Sequence, residues 1–234
     1  MSGIATEDDD MKQDAAAMSA PSCGSATVPF APYYQDEAVT IYNADCRKVL
    51  PFLERFDLLL TDPPYGIGAA RMNLGFSRTS RMEKGDWDAD QPPGWLLESL
   101  FDAAEKHVIW GGNYYGLPPS RQFVVWDKGG RFKDRSFSEC EQAWCSWDGV
   151  ARLFHYDTIN GDDFKKVHPT QKPLALMRWC LSLVPDAATV LDPFMGSGTT
   201  LVAAKLEGRK AVGIEISEKY CEAAANRLRQ GVLF

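Results

Sequence analysis

The chain has 234 residues, of which 45% are hydrophobic and 24% are charged. That length accommodates one ordinary domain, and the composition is that of an average globular protein rather than a collagen, a coiled coil or a wholly disordered chain. No stretch approaches the roughly 20 consecutive apolar residues of a membrane-spanning helix, and the acidic start does not resemble a signal peptide. We therefore expect a soluble cytoplasmic protein with no membrane partner.

The net charge of −7 argues at first against a polyanionic partner. Residues 1–20 carry five carboxylates against Lys12, a charge of −4, so residues 21–234 are close to neutral. Basic side chains cluster within 71–84, 128–135 and 165–172. A local basic stripe can follow phosphates even on an acidic protein. A solvated face explains any one cluster equally well, so charge leaves the partner open.

The six cysteines are scattered along the chain, and none forms a C-x-x-C pair. Neither a zinc knuckle nor a dithiol redox motif is predicted, because both need closely spaced cysteines. We expect free thiols in a reducing compartment and no bound metal.

The chain divides into a tail and one domain. Residues 1–35 are rich in Ala, Ser, Asp and Pro without apolar periodicity and are interpreted as a disordered acidic tail, and residues 36–234 as a single domain. Short apolar runs closed by Gly, Asp or Pro predict buried strands at Ala38–Tyr42, Phe56–Thr61, His107–Gly111, Gln122–Trp126, Glu141–Trp147, Thr189–Leu191 and Ala211–Ile214. Helices are predicted at Trp95–Lys106, Leu174–Val184, Thr199–Leu206 and Glu218–Arg229. This alternation predicts βαβ units, and hence an α/β fold with a mostly parallel sheet.

Two stretches fit neither pattern. Residues 66–94 are polar and rich in Gly, Arg, Asp and Pro, and they are too long for a simple connection. Residues 148–166 form a second irregular segment. Both follow predicted strands, and ligands of open α/β sheets bind outside the carboxyl ends of the strands. Both segments are therefore candidate binding segments.

A glycine-rich turn, DPFMGSG at residues 192–198, joins a predicted strand to the helix that begins at Thr199. The two glycines allow close approach of the backbone to a ligand, and the helix start offers free N–H groups. Nineteen residues after Gly196, the next strand ends at Glu215. A carboxylate at that spacing can accept both hydroxyls of a ribose. The pattern predicts a nucleotide-type cradle.

The ligand of this cradle is not expected to carry a polyphosphate. No Lys follows Gly198, as a P-loop requires, and Leu201 stands where a dinucleotide fingerprint has its third glycine. The Asp192 carboxylate would repel a phosphate but suits a ligand with a positive end, such as an amino group or a sulfonium. An adenosyl ligand bearing an amino acid meets these constraints.

A second motif, DPPYG at residues 62–66, directly follows the apolar run Phe56–Leu60 and Thr61. Its two prolines fix φ and therefore the directions of the backbone carbonyls. Asp62 offers a carboxylate acceptor, Pro63 a carbonyl acceptor and Tyr65 a flat ring. This set suits a planar aromatic amine, and an ordinary strand-ending Pro-Pro turn is the structural alternative.

Together the two motifs resemble those of the S-adenosylmethionine-dependent DNA amino-methyltransferases. The order, with DPPY before the glycine turn, is similar to the circularly permuted beta group of that family, and HPTQKP at residues 168–173 also matches it. The sequences GGNYY at 111–115 and VWDK at 125–128 are similar to stretches in phage and prophage members. The likeness covers about residues 38–230. It implies a Rossmann-like, seven-stranded class I methyltransferase sheet with helices on both faces.

The resemblance implies roles for individual residues. The catalytic turn comprises Asp62, Pro63, Pro64 and Tyr65. The cofactor site comprises Asp45, Cys46, Asp62, Lys172, Pro173, Asp192, Phe194, Gly196, Ser197, Gly198, Thr199, Glu215 and Ile216. On sequence alone Asp45 could equally be the N-cap of a helix over Arg47–Leu53, and the two roles are compatible.

The activity implied is methyl transfer to the exocyclic amine of a base in double-stranded DNA. Asp at position 62 resembles the adenine-N6 enzymes, whereas Ser there is typical of the cytosine-N4 enzymes. The target base must leave the duplex stack to reach such a pocket, with Tyr65 stacking on it. Candidate DNA contacts are Arg71, Arg78, Arg81, Lys133, Arg135 and His168.

Sequence recognition and two other functions stay open. Only residues 148–166 separate the last predicted sheet motif from His168, so recognition is short, relaxed, or completed by a second copy in a homodimer. Methylation of a protein glutamine or an RNA base is one alternative, although such enzymes usually carry Asn before Pro-Pro and have the cofactor loop first. A catalytically decayed DNA-binding module is the other, and the intact motif residues disfavour it.

Overall fold

A computed structural model describes residues 28–67, 91–129, 138–157 and 171–230. Within these residues nine strands form one sheet: β1 Tyr34–Gln35, β2 Val39–Asn43, β3 Phe56–Thr61, β4 Ala104–Trp110, β5 Phe123–Asp127, β6 Cys140–Cys145, β7 Arg152–His155, β8 Thr189–Asp192 and β9 Lys210–Glu215. The helices described are α1 Cys46–Val49, α2 Gly94–Asp102, α3 Leu174–Ser182, α4 Thr199–Leu206 and α5 Glu218–Arg229. Single 3-10 turns cover Leu50–Phe52 and Gly112–Tyr114.

The sheet is mostly parallel, as predicted. Its strands lie in the order β1-β2-β9-β8-β3-β4-β6-β5-β7. Neighbouring strands from β2 to β4 in this order are parallel, whereas β6 runs antiparallel to both β4 and β5. The first residues of β6 therefore lie at the edge where its neighbours end, and Cys140 accordingly pairs with Asp127.

Alternate side chains of β3 enter two hydrophobic cores, one on each face of the sheet. Leu58 and Leu60 pack in the core that contains α3, α4 and α5, and Leu59 packs in the core that contains α1 and α2. All three leucines are fully buried. Helices thus cover both faces, and the turns that follow β3 and β8 are anchored by strands buried on both sides.

The structure differs from the sequence predictions at three places. All seven predicted strands are present, but β1 and β7 bring the number described to nine; both are short edge strands with little buried apolar surface to detect. Because β1 lies before residue 36, the fold extends into the predicted tail. The helix predicted over Trp95–Lys106 ends at Asp102, since Ala104 already pairs with Phe56 in the sheet.

Much of the predicted DNA-contacting region lies outside the described residues. This applies to residues 68–90 and 158–166 of the two irregular segments and to the tail before residue 28. It also applies to all the candidate DNA contacts: Arg71, Arg78, Arg81, Lys133, Arg135 and His168. In the described part of the chain no helix is long and apolar enough to cross a membrane, and no three metal-ligating side chains cluster.

Candidate active site

The two sequence motifs lie side by side at one edge of the sheet. β3 and β8 are parallel neighbours, with Leu58 paired to Val190 and Leu59 to Leu191. Both strands therefore end at the same edge, β3 at the DPPY turn and β8 at the glycine turn. A ligand bound between strand ends at this edge, where such sheets bind their ligands, contacts both turns.

The glycine turn needs glycine for its backbone and for its packing. Gly196 has a φ of 50° and Gly198 a φ of 75°, both in the left-handed region. A Cβ at Gly198 would also lie 2.7 Å from Cβ of Ala224 on α5. α5 therefore packs closely against the residue that precedes α4, and a side chain at position 198 would not fit.

Glu215 closes the far side of the glycine turn. Its Oε2 accepts the N–H of Gly196 at 3.0 Å and its Oε1 accepts the N–H of Ser217 at 2.8 Å. Burial raises the pKa of this carboxyl, and the N–H donors act against that shift. The Ile216 N–H is a third backbone donor to this carboxylate. Its two oxygens have about four acceptor sites in all, so capacity for one ribose hydroxyl is left.

Asp192, the last residue of β8, is 3% exposed. Burial raises the pKa of its carboxyl to about 6, although Thr200, Thr61 and the Phe194 N–H all bond to the ionised form. A buried carboxylate with so high a pKa is costly to ionise. A cationic group bound beside it would offset that cost.

A network missed by the sequence analysis holds the glycine turn from α5. Arg227 donates to the carbonyl of Ser197 at 2.7 Å and to the hydroxyl of Thr199 at 3.0 Å. The Ser197 hydroxyl in turn donates to Oε1 of Gln171 at 3.1 Å. In sequence Arg227 stands on the polar side of an amphipathic helix and looks like an ordinary solvated arginine, so no signal distinguished it.

The acceptors predicted for a target amine already carry donors from the chain itself. Asp62 Oδ1 accepts the hydroxyl of Tyr65 at 2.5 Å, and Oδ2 accepts Nζ of Lys172 at 2.5 Å. The hydroxyl of Tyr115 lies 3.0 Å from the Pro63 carbonyl and 2.9 Å from the Pro64 carbonyl. These oxygens accept hydrogen bonds from the chain itself, so a ligand amine must share or replace the donors of Tyr65, Lys172 and Tyr115.

Tyr65, which is predicted to stack on an extruded base, packs against the segment that follows β4. Its ring stacks on Tyr114, with centroids 4.9 Å apart and planes 18° from parallel. Gly111, at a φ of 69°, lies so close that a Cβ there would be 2.2 Å from Cε1 of Tyr65. The GGNYY segment therefore packs against the catalytic turn and sets the position of its ring.

Lys172 contacts the catalytic turn in the described structure. Its side chain is 7% exposed, and Nζ lies 2.5 Å from Asp62 and 3.0 Å from Oε2 of Glu141. The resemblance places Lys172 at the cofactor, and the structure adds these contacts with the two carboxylates. Nothing in the sequence distinguishes Glu141, because it stands near the start of β6, whereas the ligand-binding positions of such a sheet follow the ends of strands.

The remaining predicted cofactor residues lie near the edge of the sheet where β3 and β8 end. Asp45 is the N-cap of α1 and accepts the N–H of Arg47 at 2.9 Å. The N-cap role, which the sequence offered as an alternative, is therefore confirmed. It follows β2, whose next residue, Ala44, donates to the carbonyl of Glu215 at 3.1 Å. The other positions differ in exposure: Cys46 is buried, Phe194 is partly buried and Ile216 is 73% exposed. Pro173 is the N-cap of α3.

A mostly parallel sheet with helices on both faces and these two turns at one edge is the class I methyltransferase fold. A family model described as DNA methylase matches residues 109–226. The type II methyltransferase M2.LlaDCHI of Lactococcus lactis subsp. cremoris is 26% identical over a gapped alignment of 258 positions, and this alignment covers 87% of this chain and 94% of that protein.

Solved structures share the fold. The PvuII DNA methyltransferase, described as cytosine-N4-specific, superposes with a TM-score of 0.62 at 18% identity, covering 89% of this chain and 92% of that chain. The M1.HpyAVI–SAM complex gives a TM-score of 0.50 at 23% identity, covering 81% of this chain and 98% of that chain.

The chain belongs to the DNA methylase family. It is an S-adenosylmethionine-dependent DNA methyltransferase, as the resemblance implied.

Proposed function

We propose that this enzyme methylates N6 of adenine in double-stranded DNA, with Asp62 accepting the target amine. The observation that carries the proposal is the pairing of β3 with β8, which sets the Asp62 turn directly beside the glycine turn and Asp192. S-adenosylmethionine supplies a methyl group on a positively charged sulfur. The chain must then hold an amine nitrogen in line with that methyl group.

The residues at the glycine turn fit S-adenosylmethionine. Glu215 has acceptor capacity left for a ribose hydroxyl, and Gly196 and Gly198 leave the turn open to close approach. Asp192 is a buried carboxylate suited to a positively charged group. Asp45, Lys172 and the other residues named from the resemblance complete the proposed site.

Asp62 and the Pro63 carbonyl would activate the amine. The lone pair of an exocyclic amine is delocalised into the ring, which makes it a poor nucleophile. Acceptors for its two N–H bonds localise that pair, and they stabilise the positive charge that develops on nitrogen in the transition state. Tyr65, held by Gly111 and Tyr114, would contact the extruded base.

Adenine is favoured over cytosine by Asp at position 62, which resembles the adenine-N6 enzymes. The test is to incubate the purified full chain with isotopically labelled S-adenosylmethionine and duplex DNA, then identify the methylated nucleoside by mass spectrometry. N6-methyladenine supports the proposal. N4-methylcytosine, or no labelled base, contradicts it.

Two variants separate chemistry from folding. Asp62→Ala should retain cofactor binding, measured by titration calorimetry, and lose methyl transfer by at least about 100-fold. Asp186→Asn is the matched control, because Asp186 is exposed and precedes β8 at the opposite edge of the sheet. Full activity in Asp62→Ala would refute the role of Asp62.

We also propose that the enzyme works in the cytoplasm, where DNA and S-adenosylmethionine meet, and that two copies pair. Support for pairing comes from β7, an edge strand of the described sheet, where Leu153 is 66% exposed, and from Phe123 on the neighbouring strand β5, which is 38% exposed. Light scattering on the purified chain, with Leu153→Lys as the disrupting variant, tests the pairing. A monomer at all concentrations contradicts it.

A further inference from the structure

Four side chains of alternating charge, Asp62, Lys172, Glu141 and Lys128, form a connected series that begins at the catalytic turn. Asp62 Oδ2 lies 2.5 Å from Nζ of Lys172, which lies 3.0 Å from Oε2 of Glu141. Glu141 Oε1 lies 2.5 Å from Nζ of Lys128. All four side chains are at most 24% exposed. Partners this close and this buried are far less screened than a surface ion pair.

The antiparallel strand β6 brings Glu141 to this place. Asp62 follows β3, Lys128 follows β5, and Lys172 precedes α3, so each belongs to a different element. Glu141 is the second residue of β6, opposite Trp126 near the end of β5. Had β6 run parallel to its neighbours, Glu141 would lie at the far edge of the sheet.

Two carboxylates compete for the single ammonium group of Lys172. This ammonium has three N–H donors, and besides the two carboxylates it lies 3.3 Å from the Tyr65 hydroxyl. It also lies 5.5 Å from the centroid of the Trp110 ring, a contact that favours a cation. Lys172 can therefore give up its bond to Asp62 and remain paired with Glu141.

Such an exchange matters because an ionised Asp62 is a stronger acceptor for an amine N–H than a protonated one. Burial raises the pKa of Asp62, Lys172 lowers it, and the negative charge of Glu141 raises it again. Glu141 itself stays ionised, because the ammonium groups of Lys172 and Lys128 outweigh its burial and hold its pKa at about 2. A protonated Asp62 would lose its negative charge and turn one of its two acceptor oxygens into a hydroxyl donor.

We propose that Lys172 and Glu141 are positioning residues for Asp62. Lys172 keeps the Asp62 carboxylate ionised and oriented before the target amine arrives, and Glu141 retains Lys172 when the amine takes its place. This inference rests on the proposed function of Asp62. It gives Lys172 a task at the catalytic turn, and it adds Glu141, which the family motifs quoted above do not include.

The test is the pH profile of single-turnover methyl transfer in two variants that change the charge in opposite directions. Glu141→Gln removes a negative charge, so the acidic limb should move to lower pH. Lys172→Met removes the positive charge, so the limb should move up by about one pH unit or more. Activity of Lys172→Met should fall at least tenfold at neutral pH and partly recover at alkaline pH.

The other charged and titratable groups near Asp62 are left unchanged in both variants. They are Tyr65 on the same turn, Asp192 at the end of β8 and Tyr115 after the 3-10 turn. A loss of packing alone would lower the rate at every pH and would not move the limb in opposite directions. Shifts of opposite sign therefore support the inference, and an unmoved limb in both variants overturns it.

Glu207→Gln is the matched control, since Glu207 pairs with Arg178 of α3 on the surface. Its profile should coincide with that of the unsubstituted enzyme. If Lys172→Met does not fold, as judged by circular dichroism, Lys128→Met replaces it and should shift the limb upward by a smaller amount. Absence of methylation by the unsubstituted chain would defeat the proposed function, whereas an active enzyme with unshifted variants defeats this inference alone.

Discussion

The hydroxyl of Thr61 donates to Oδ1 of Asp192 at 2.8 Å, and this bond joins the last residue of β3 to the last residue of β8. Both side chains are at most 3% exposed. The catalytic turn begins one residue after Thr61, and the glycine turn begins at Asp192. A change in the charge of Asp192 therefore affects both turns. A change of pH is enough to produce it.

Cofactor affinity should fall as the pH falls through about 6. Burial raises the pKa of Asp192 to about 6, so the carboxylate proposed to face the positive end of the cofactor is neutralised below that pH. We expect the dissociation constant for S-adenosylmethionine to rise about tenfold between pH 8 and pH 5. Titration calorimetry across this range checks it, and Asp192→Asn should abolish the pH dependence. Equal affinity at both ends of the range would contradict the assignment.

Asp192→Asn should stabilise the fold at pH 8 while it weakens cofactor binding. The pKa of Asp192 is about 6 in the folded state, which is above its value in the unfolded chain. The native state therefore binds the proton more tightly, and the contribution of Asp192 to the free energy of unfolding rises as the pH falls from 6 towards 4. At pH 8 the charge destabilises, and its removal should raise the free energy of unfolding by roughly 1–3 kcal/mol. Urea unfolding at pH 8 and pH 4 measures this, and the gain should vanish at pH 4.

Arg227→Met should loosen the glycine turn. Its guanidinium bonds to Ser197 and Thr199, both in or directly after the turn. In this variant the Ser197 carbonyl and the Thr199 hydroxyl lose a charged donor, and such a loss typically lowers the free energy of unfolding by about 1–3 kcal/mol. We expect KM for S-adenosylmethionine to rise about tenfold with kcat changed less, measured by steady-state kinetics.

Arg229→Met provides the control for Arg227. Arg229 lies on the same last turn of α5 but bonds to Asn226 and lies over the ring of Tyr34, away from the glycine turn. Its KM should stay within about twofold of the original. An equal rise in both variants would mean that α5 is destabilised as a whole and would remove the specific role of Arg227.

The strands that carry the two turns could be predicted because apolar runs are local patterns. Short apolar runs ending in Asp62 and Asp192 mark strands buried on both faces, and parallel strands end at one edge. The sheet order that makes β3 and β8 neighbours was not evident from periodicity. It came with the family resemblance, and the structure places the two strands side by side.

Glu141, Arg227 and the Tyr65–Tyr114 stack could not be predicted, because each depends on partners distant in sequence. Glu141 stands near the start of a strand, and only the reversed direction of β6 brings it to the edge used by Asp62. Tyr65 meets Tyr114 because the segment after β4 folds over the catalytic turn. Contacts of this kind carry no periodicity or motif spacing.

Gly111→Ala should impair catalysis by displacing Tyr65. An alanine at Gly111 is unfavourable at a φ of 69°, and its Cβ would lie 2.2 Å from Cε1 of Tyr65. The ring must move, and with it the hydroxyl that bonds to Asp62 at 2.5 Å. We expect kcat to fall at least about tenfold while cofactor affinity changes little, since the glycine turn is untouched.

Gly116→Ala is the control that distinguishes displacement of the Tyr65 ring from a general disturbance of the segment after β4. A Cβ at Gly116 meets nothing within 4 Å, and the position follows the same 3-10 turn that Gly111 precedes. Its kcat should stay within about twofold of the original, and its near-ultraviolet circular dichroism should be unchanged. Gly111→Ala should alter that spectrum because the stacked Tyr65 and Tyr114 separate. An active Gly111→Ala enzyme with an unaltered spectrum would show that the ring tolerates the methyl group and that its position does not govern methyl transfer.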